Sequence, residues 1–319
     1  MAAVLSPRAG TLVNDQIAAN KRRSRLLVAG FAVLVAVVLA LLSLLIGGGW
    51  VGLVVAVVVA AAVSVAAYRG AGGVALRVSR AAPAPVDEYA RYHNVVEGLC
   101  IASGLPKPAL YVVEDPAPNA FATGRNPRTA ALVATTGLLD AMNRIELEGV
   151  LAHELSHVKN HDILVSTLAV TMVGAVGVLA DLGVRLRWWG LGRTRHHDFD
   201  ERHGGPPGPF AALSVVGFAL LALSPVAAAV MRRAISPRRE TLADLTAVEM
   251  TRYPPGLISA LEKLRDDSTV VHATSRGTAH LWLGQPSALT ESEGELSGWN
   301  RRFDTHPPLD ERIALLREL

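Results

Sequence analysis

The sequence is poor in several residue types that soluble and secreted proteins commonly use. It contains one cysteine, Cys100, which excludes an intramolecular disulfide and any need for oxidising conditions during folding. Charged residues make up 18% and aromatic residues 5% of the 319 positions, whereas half of the positions are hydrophobic. Soluble chains usually carry about 25% charged residues. This composition excludes intrinsic disorder and a disulfide scaffold, and it indicates a membrane protein.

Lysine is also scarce. The chain has four lysines against 27 arginines, and its net charge is only +3, an excess too small to indicate nucleic-acid binding. None of the lysines follows a glycine, which excludes the phosphate-binding loop G-x-x-x-x-G-K-[ST]. We therefore expect neither nucleic acid nor nucleotide among the partners.

Long apolar runs are abundant instead. Residues 26–46 and 50–68 are uncharged over 21 and 19 positions, close to the roughly 20 residues that span a bilayer. The first run is too long for the apolar part of a cleaved signal peptide, so we interpret it as a retained anchor. Basic residues at both outer ends of this hairpin predict that those ends face the cytoplasm: Lys21, Arg22, Arg23, Arg25, Arg69, Arg77 and Arg80.

Two further apolar runs cover residues 163–180 and 210–231. They could span the bilayer, enter it partly, or form buried core helices. The loop 185–209 between them is rich in arginine, which conflicts with the positive-inside rule and leaves the depth of this hairpin open. Its histidines could form a second metal site, although a solvated loop is the better interpretation: His196, His197 and His203.

The segment between the hairpins is typical of a compact unit of helices and strands. We predict helices over 86–103 and 136–142, with Gly104 ending the first helix and Cys100 packed in the core. Short strands are predicted at the following ranges: 109–113, 120–123 and 129–134.

The chemistry is concentrated on the next helix. Asn143 can cap it, and Glu146 completes a capping-box pattern. His153 and His157 are four residues apart, so they project from one face, and Glu154 lies beside them. Two such imidazoles can bind zinc, and Glu154 can deprotonate a zinc-activated water. This is the H-E-x-x-H arrangement of zinc metallopeptidases.

A catalytic zinc ion needs a third protein ligand. Glu240 and Asp244 share one face of a helix that opens at Ser236-Pro237. Glu240 could ligate zinc while Asp244 orients a ligand histidine. Equally, Glu240 could be an acidic residue that stabilises the start of the helix.

Four segments, in this order, resemble the HtpX family of membrane-bound zinc metallopeptidases. They are Asn119-Ala-Phe-Ala-Thr-Gly, the stretch from His153 to Asp162, Arg239-Glu-Thr-Leu-Ala-Asp and Thr305-His-Pro-Pro. The resemblance implies His153, His157 and Glu240 as ligands of one zinc ion, and Glu154 as the general base. It also implies that Asn119, Ala120, Phe121 and Ala122 form a strand beside the substrate cleft.

The expected fold class is α+β, a zincin-like metallopeptidase domain with four apolar helices that are transmembrane or membrane-inserted. Residues 1–25 form a polar cytoplasmic segment and 26–68 a transmembrane hairpin. Residues 83–162 and 236–319 form the two halves of the catalytic domain, separated by the second hairpin, 163–231.

The resemblance further implies a multi-pass protein of the cell membrane, with its catalytic domain facing the cytoplasm. Polypeptides, above all misfolded or damaged membrane proteins, would be the substrates, and the lipid bilayer a partner. His306, just before Pro307 and Pro308, could donate to the oxyanion or could be a packing or capping residue. Arg312 could pair with Asp244 or Glu240.

Two rival interpretations stay open. One is a dedicated processing metallopeptidase for a single class of membrane-associated substrate. The other is a catalytically inactive zinc-binding membrane scaffold.

Overall fold

The structure is a computed structural model that describes residues 7–45, 47–168, 237–267, 269 and 307–319. The chain divides into two compact units. The first contains Met1–Ser24, Ala71–Val170 and Arg232–Leu319, and the second contains Arg25–Gly70 and Thr171–Met231. The described helices are α1 (Pro7–Leu45), α2 (Gly49–Val78), α3 (Ala90–Ser103), α4 (Thr136–Ala141), α5 (Arg144–Lys159), α6 (Pro237–Thr251), α7 (Pro254–Asp266) and α8 (Leu309–Arg317).

The first unit contains a four-stranded mixed sheet. Its strands are β1 (Ala82–Pro83), β2 (Ala109–Val113), β3 (Ala120–Thr123) and β4 (Ala131–Thr135), in the order β1-β2-β4-β3. β2 and β4 are parallel, whereas β1 pairs with β2 and β3 pairs with β4 antiparallel. This combination of sheet and helices confirms a mixed helix and sheet fold.

Helix α5 lies at the centre of this unit, where it packs against α3, α6, α7 and β3. Its apolar side chains are almost completely buried on several sides: Leu147, Val150, Leu151, Leu155 and Val158. A helix buried all round is held in place by its neighbours rather than by one amphipathic face. The unit therefore fixes the positions of the buried polar side chains that α5 carries, among them His153 and Glu154.

Most predicted boundaries in this region are confirmed. β2 and β3 have the predicted bounds, Cys100 is buried, and Gly104 ends α3 in a left-handed conformation with φ of 69°. The predicted start of α3 at residue 86 was wrong: the helix begins at Ala90, after turns in which Val86 is 60% exposed. Strand β4 starts two residues later than predicted, because a short 3-10 helix, Pro127–Thr129, precedes it.

Among the described residues, two helices are long and apolar enough to cross a membrane, namely Ile17–Leu41 within α1 and Gly49–Val78. They correspond to the first predicted hairpin, and many of their large apolar side chains are exposed, including Trp50 and Val58. The predicted apolar segments 163–180 and 210–231 lie outside the described residues, except for 163–168, which are helical. The loop 185–209, with His196, His197 and His203, also lies outside them.

Candidate metal centre

The amino-terminal end of α5 is fixed by a complete capping box. The Asn143 side chain accepts hydrogen bonds from the backbone N–H groups of Ile145 and Glu146, at 2.9 and 3.0 Å. The Glu146 carboxylate in turn accepts the Asn143 N–H at 2.9 Å. Glu146 also accepts hydrogen bonds from Ser259 and Lys263 of α7, both at 2.7 Å. The helix that carries the histidines therefore starts at a defined residue and is anchored to a neighbouring helix.

Three side chains from α5 and α6 converge inside the first unit. The Nε2 atoms of His153 and His157 are 3.2 Å apart. The Glu240 carboxylate lies 3.5 Å from His153 Nε2 and 3.8 Å from His157 Nε2. The exposed fraction of the side chain is 0% for His153, 15% for His157 and 5% for Glu240. All three ligand atoms lie within 4.8 Å of one another.

This donor set fits a zinc ion. Nitrogen and oxygen ligands lie about 2.0–2.2 Å from tetrahedral zinc, so two donors on one ion are separated by roughly 3.3 Å. The two Nε2 atoms are 3.2 Å apart and Glu240 Oε2 lies 3.5 Å from His153 Nε2, both close to that value, while the other carboxylate oxygen, Oε1, lies 3.8 Å from His157 Nε2. Two imidazole nitrogens this close need a proton or a cation between them, because their lone pairs otherwise repel. His153, His157 and Glu240 could therefore hold one metal ion.

The buried ion pair of Asp244 and Arg312 contacts His153 at its Nδ1 atom. Asp244 Oδ1 lies 2.8 Å from His153 Nδ1. Arg312 of α8 donates two hydrogen bonds to the Asp244 carboxylate, from Nη2 at 2.7 Å and from Nε at 2.9 Å. A carboxylate that accepts the Nδ1 proton of a histidine directs the Nε2 lone pair to the opposite side of the ring. The structure thus places Asp244 where it can orient His153, with Arg312 holding Asp244 in place.

Asp162 supports His157 in the same manner. Its Oδ2 lies 3.0 Å from His157 Nδ1. The chain reverses at His161, which has a φ of 56°, and the N–H of Asp162 bonds back to the His157 carbonyl at 3.2 Å. The sequence patterns indicated no separate role for Asp162, although it is the last residue of the segment His153–Asp162 that resembles the HtpX family.

The charges around the two imidazoles favour a cation. Burial lowers the pKa of His157, but Asp162 and Glu240 outweigh it and raise the pKa to about 10. For His153, burial and Arg312 lower the pKa, yet Asp244 and Glu240 raise it to a net increase. Burial opposes ionisation of Asp244, but Arg312 and His153 hold its pKa below the ordinary range. The metal-free centre therefore binds protons strongly at the positions where a metal ion would bind.

Glu154 is buried in the same region, with 3% of its surface exposed. It is close enough to His157 and Arg312 for its charge to raise the pKa of both. The hydroxyl of Tyr92 on α3 donates to the Leu132 carbonyl at 3.0 Å. Burial and the Glu154 charge both raise the pKa of Tyr92. Glu154 therefore lies beside the ligand cluster, where a proton acceptor would be needed.

The predicted substrate strand is the edge strand β3 of the described sheet. The Asn119 carbonyl accepts the N–H of Thr135 at 2.9 Å, and the Asn119 N–H donates to the Thr135 hydroxyl at 2.9 Å. Hydrogen-bonded pairs alternate along an antiparallel ladder, so the backbone groups of Ala120 and Ala122 point away from β4. Asn119 and the side chains of Ala120, Phe121 and Ala122 are all buried. His306, the predicted oxyanion donor, lies outside the described residues.

Comparison with known proteins identifies the family. The model of peptidase family M48 matches residues 87–319. A protease HtpX homolog of Thermoanaerobacter pseudethanolicus is 40% identical over 79% of this chain and 80% of its own length. One from Streptococcus uberis is 36% identical over 97% of this chain and all of its own length.

Among solved structures, the crystal structure of S. mikatae Ste24p matches this chain over 81% of its residues, which corresponds to 57% of the Ste24p chain. Its TM-score is 0.44 and its sequence identity 20%, values too low to support an argument. The family match and the HtpX relatives cover the helix with His153, Glu154 and His157 as well as Glu240 and Arg312. The chain therefore belongs to peptidase family M48, a family of zinc-dependent metallopeptidases, and within it is a homologue of the HtpX proteases.

Proposed function

We propose that this protein is a membrane-anchored, zinc-dependent endopeptidase that cleaves misfolded or damaged membrane proteins. His153, His157 and Glu240 hold one zinc ion per chain. The observation that carries the proposal is the convergence of three ligand atoms within 4.8 Å, from two buried side chains and one partly buried side chain on helices far apart in the sequence. Buried ionisable groups without a cation would be costly, and a divalent ion offsets that cost.

The chemistry follows from the positions of the side chains. Bound zinc supplies a Lewis acid that polarises the scissile carbonyl and makes water more acidic. Glu154 accepts the proton of the attacking water and passes it to the leaving amine. Asp244 and Asp162 accept the Nδ1 protons of His153 and His157, which leaves both Nε2 lone pairs available for the metal.

An extended peptide is the form of substrate that suits β3. The backbone groups of Ala120 and Ala122 point away from β4, but the Ala120 N–H already donates to Asn119 Oδ1 at 3.0 Å. A peptide could pair as an added strand with the Ala120 carbonyl and with the N–H and carbonyl of Ala122. Such pairing uses backbone hydrogen bonds and therefore selects little for sequence. A protease that removes damaged proteins of many kinds needs this low selectivity.

The two apolar helices supply the membrane anchor. Basic residues lie near the start of the first apolar helix, Ile17–Leu41, and just after residue 68; they include Lys21, Arg25 and Arg69. They support a cytoplasmic position for both outer ends of the hairpin. Residues 83–162 and 236–319 then form two halves of one catalytic domain on the cytoplasmic side. His157 lies six residues before the apolar run that starts at 163, so the metal centre lies close to the membrane, where membrane-protein substrates emerge.

The test compares zinc content and proteolysis of the full chain in detergent. We expect Glu154→Gln to keep one zinc ion and to lose activity by about 10²–10⁴-fold, the usual contribution of a general base. Glu240→Ala should lose zinc and activity together. Glu148→Gln on α5 and Glu249→Ala on α6 are matched controls and should behave as the wild type. Full activity of Glu154→Gln, or full zinc binding by Glu240→Ala, would contradict the proposal.

Substrate range is tested separately. Unrelated unfolded membrane proteins are offered to the zinc-loaded wild type, with Glu154→Gln as the blank. Cleavage of several of them supports quality control. If only one class of substrate is cut, the protein is a dedicated processing peptidase instead.

A further inference from the structure

The first turns of the anchor helix α1 belong to the catalytic unit. Residues Met1–Ser24 group with it, whereas Arg25–Gly70 belong to the second unit. Asn20 and Ser24, one helical turn apart, are 1% and 2% exposed. Polar residues are common in this amino-terminal part of α1, but these two are buried against the catalytic unit instead of facing solvent.

Asn20 makes a defined contact with the active-site helix. Its Nδ2 donates a hydrogen bond of 3.2 Å to the backbone carbonyl of Asn160, the residue that ends α5. Asn160 is completely buried. The next residue of α1, Lys21, lies near His161, whose pKa is lowered by burial and by the Lys21 charge. Two successive residues of α1 therefore act on two successive residues at and just after the end of α5, Asn20 through a hydrogen bond and Lys21 through its charge.

The contact between Asn20 and Asn160 is polar, which indicates that it fixes how α1 is placed against the end of α5. Several buried side-chain atoms here have no hydrogen-bond partner in the part of the chain that the structure describes: Asn20 Oδ1, Ser24 Oγ, Asn160 Oδ1 and Nδ2, and Asp162 Oδ1. Leaving such a group unsatisfied costs about 1–3 kcal/mol, unless ordered water bridges it. Apolar packing would be more favourable, so a polar contact is better explained by the geometry it imposes.

That geometry continues to the metal centre within two residues. The N–H of Asn160 bonds to the Ser156 carbonyl at 2.9 Å, His161 then takes a left-handed conformation, and Asp162 follows. Asp162 contacts His157 twice, through its N–H to the carbonyl and through Oδ2 to Nδ1. The placement of Asp162 therefore depends on the turn that begins at Asn160.

We propose that Asn20 is a positioning residue for the metal centre: by holding the Asn160 carbonyl, it fixes the turn that places Asp162 against His157. The inference rests on the zinc site proposed above. Because α1 continues without a break from Asn20 into the apolar run, the membrane anchor and a zinc ligand are linked by one helix and one hydrogen bond.

The test measures the metal centre rather than activity. The full chain in detergent is loaded with Zn²⁺, and the rate of zinc loss to a chelator is recorded. It is also loaded with Co²⁺, whose visible spectrum reports ligand geometry. Since removing a residue that orients a ligand usually costs 10–100-fold in metal affinity, we expect Asn20→Ala, which acts one step further away, to speed zinc loss by about 3–10-fold. It should also change the Co²⁺ spectrum.

Three further variants make the test specific. Ser24 is buried on the same face, but its hydroxyl has no hydrogen-bond partner among the described residues, so Ser24→Ala should stay within about twofold of the wild type. Asn20→Gln retains the amide donor, so its rate of zinc loss should lie between those of the wild type and Asn20→Ala. In an Asp162→Asn background, Asn20→Ala should add nothing, because both changes act through the same contact.

The outcomes separate the two proposals. If the wild type binds neither Zn²⁺ nor Co²⁺, the zinc site itself is wrong, and this inference with it. If the wild type binds both and Asn20→Ala matches it in rate and spectrum, only the role of Asn20 is overturned. Additive effects in the Asp162→Asn background would likewise reject it, and if Asn20→Ala does not fold, Asn20→Gln carries the comparison.

Discussion

At the scale of single residues, the carboxylates around the histidines decide how protons and metal compete. Asp162 and Glu240 raise the pKa of His157 to about 10 against the effect of burial, and the pKa of His153 is raised as well. A histidine must be neutral to bind a metal, so at neutral pH zinc has to displace protons from the metal-free protein.

We therefore expect zinc binding to release at least one proton per chain at pH 7.5. The apparent affinity should rise about tenfold per pH unit between pH 7 and 9, because His157 stays protonated until the pH approaches its pKa. Calorimetric titrations in buffers of different ionisation enthalpy measure the released protons. Asp162→Asn removes one of the two carboxylates and should reduce the release. Equal heats in all buffers would contradict this account.

Most residues of the candidate metal centre could be predicted from the sequence. The i and i+4 spacing led to His153 and His157, and the shared helix face led to Glu240 and Asp244. Asp162 was missed because its contact depends on a left-handed conformation at His161. Glycine would have indicated such a turn, whereas histidine, although it takes a positive φ more often than most residues, mostly adopts other conformations.

At the scale of elements, α5 and α7 approach each other at a glycine. A Cβ atom on Gly149 would lie 2.7 Å from the Leu257 backbone nitrogen and 2.8 Å from its Cα. The two helix backbones can come this close only because Gly149 has no side chain, and the α5–α7 contact sets the position of the histidines.

Gly149→Ala should lower the free energy of unfolding by about 1–3 kcal/mol, since the helices must separate. Gly98→Ala is the matched control: Gly98 lies inside α3, is exposed, and a Cβ there meets nothing within 4 Å. That change should instead stabilise by about 0.5–1 kcal/mol, the helix preference for alanine. Urea titrations of the full chain in mild detergent measure both, and similar effects of the two variants would disprove the close-packing argument.

The stability that the capping box of α5 contributes depends on pH, because it requires the ionised Glu146 carboxylate. Burial raises the pKa of Glu146, but hydrogen bonds from Lys263 and Ser259 outweigh it and hold the pKa below the ordinary value. The folded state thus prefers the ionised carboxylate. Its contribution to stability is fully present above the ordinary glutamate pKa of about 4.3 and is lost as the pH falls through the lowered value.

The difference in stability between the wild type and Glu146→Gln should therefore be largest at neutral pH and shrink below about pH 4. Unfolding curves at pH 7, 5 and 3.5 measure it. Glu148→Gln, on the same helix but without a hydrogen bond or ion pair to the described residues, should show little difference at any pH. A gap that stays constant on acidification would rule out the linkage.

At the scale of the whole molecule, the metal centre is assembled from distant parts of the sequence. His153 comes from α5, Asp244 from α6 and Arg312 from α8, and the three meet in one buried group. Sequence patterns predicted α5 and α6 individually. They could not predict the short strand β1 or the sheet order, because a two-residue strand has no periodicity and pairing depends on tertiary packing.

Arg312→Met should destabilise the protein by about 3–5 kcal/mol, because it leaves the buried Asp244 carboxylate without its cation. Arg317→Met on the same helix is the control. Arg317 pairs with Glu262 at 2.6 Å, but its side chain is 63% exposed, so the loss should stay below about 1 kcal/mol. The free energy of unfolding of the zinc-loaded chain in detergent decides between them, and equal losses would contradict the importance of burial.

The distribution of the ligands along the chain also sets an order of events during synthesis. A ribosome completes His153, Glu154 and His157 well before Glu240, and Arg312 later still. With the ligands proposed above, a growing chain would have its proton acceptor and two imidazoles while the third ligand and the arginine that pairs with Asp244 were still missing. We therefore expect peptide-bond hydrolysis to begin only when the carboxy-terminal helices have folded against α5.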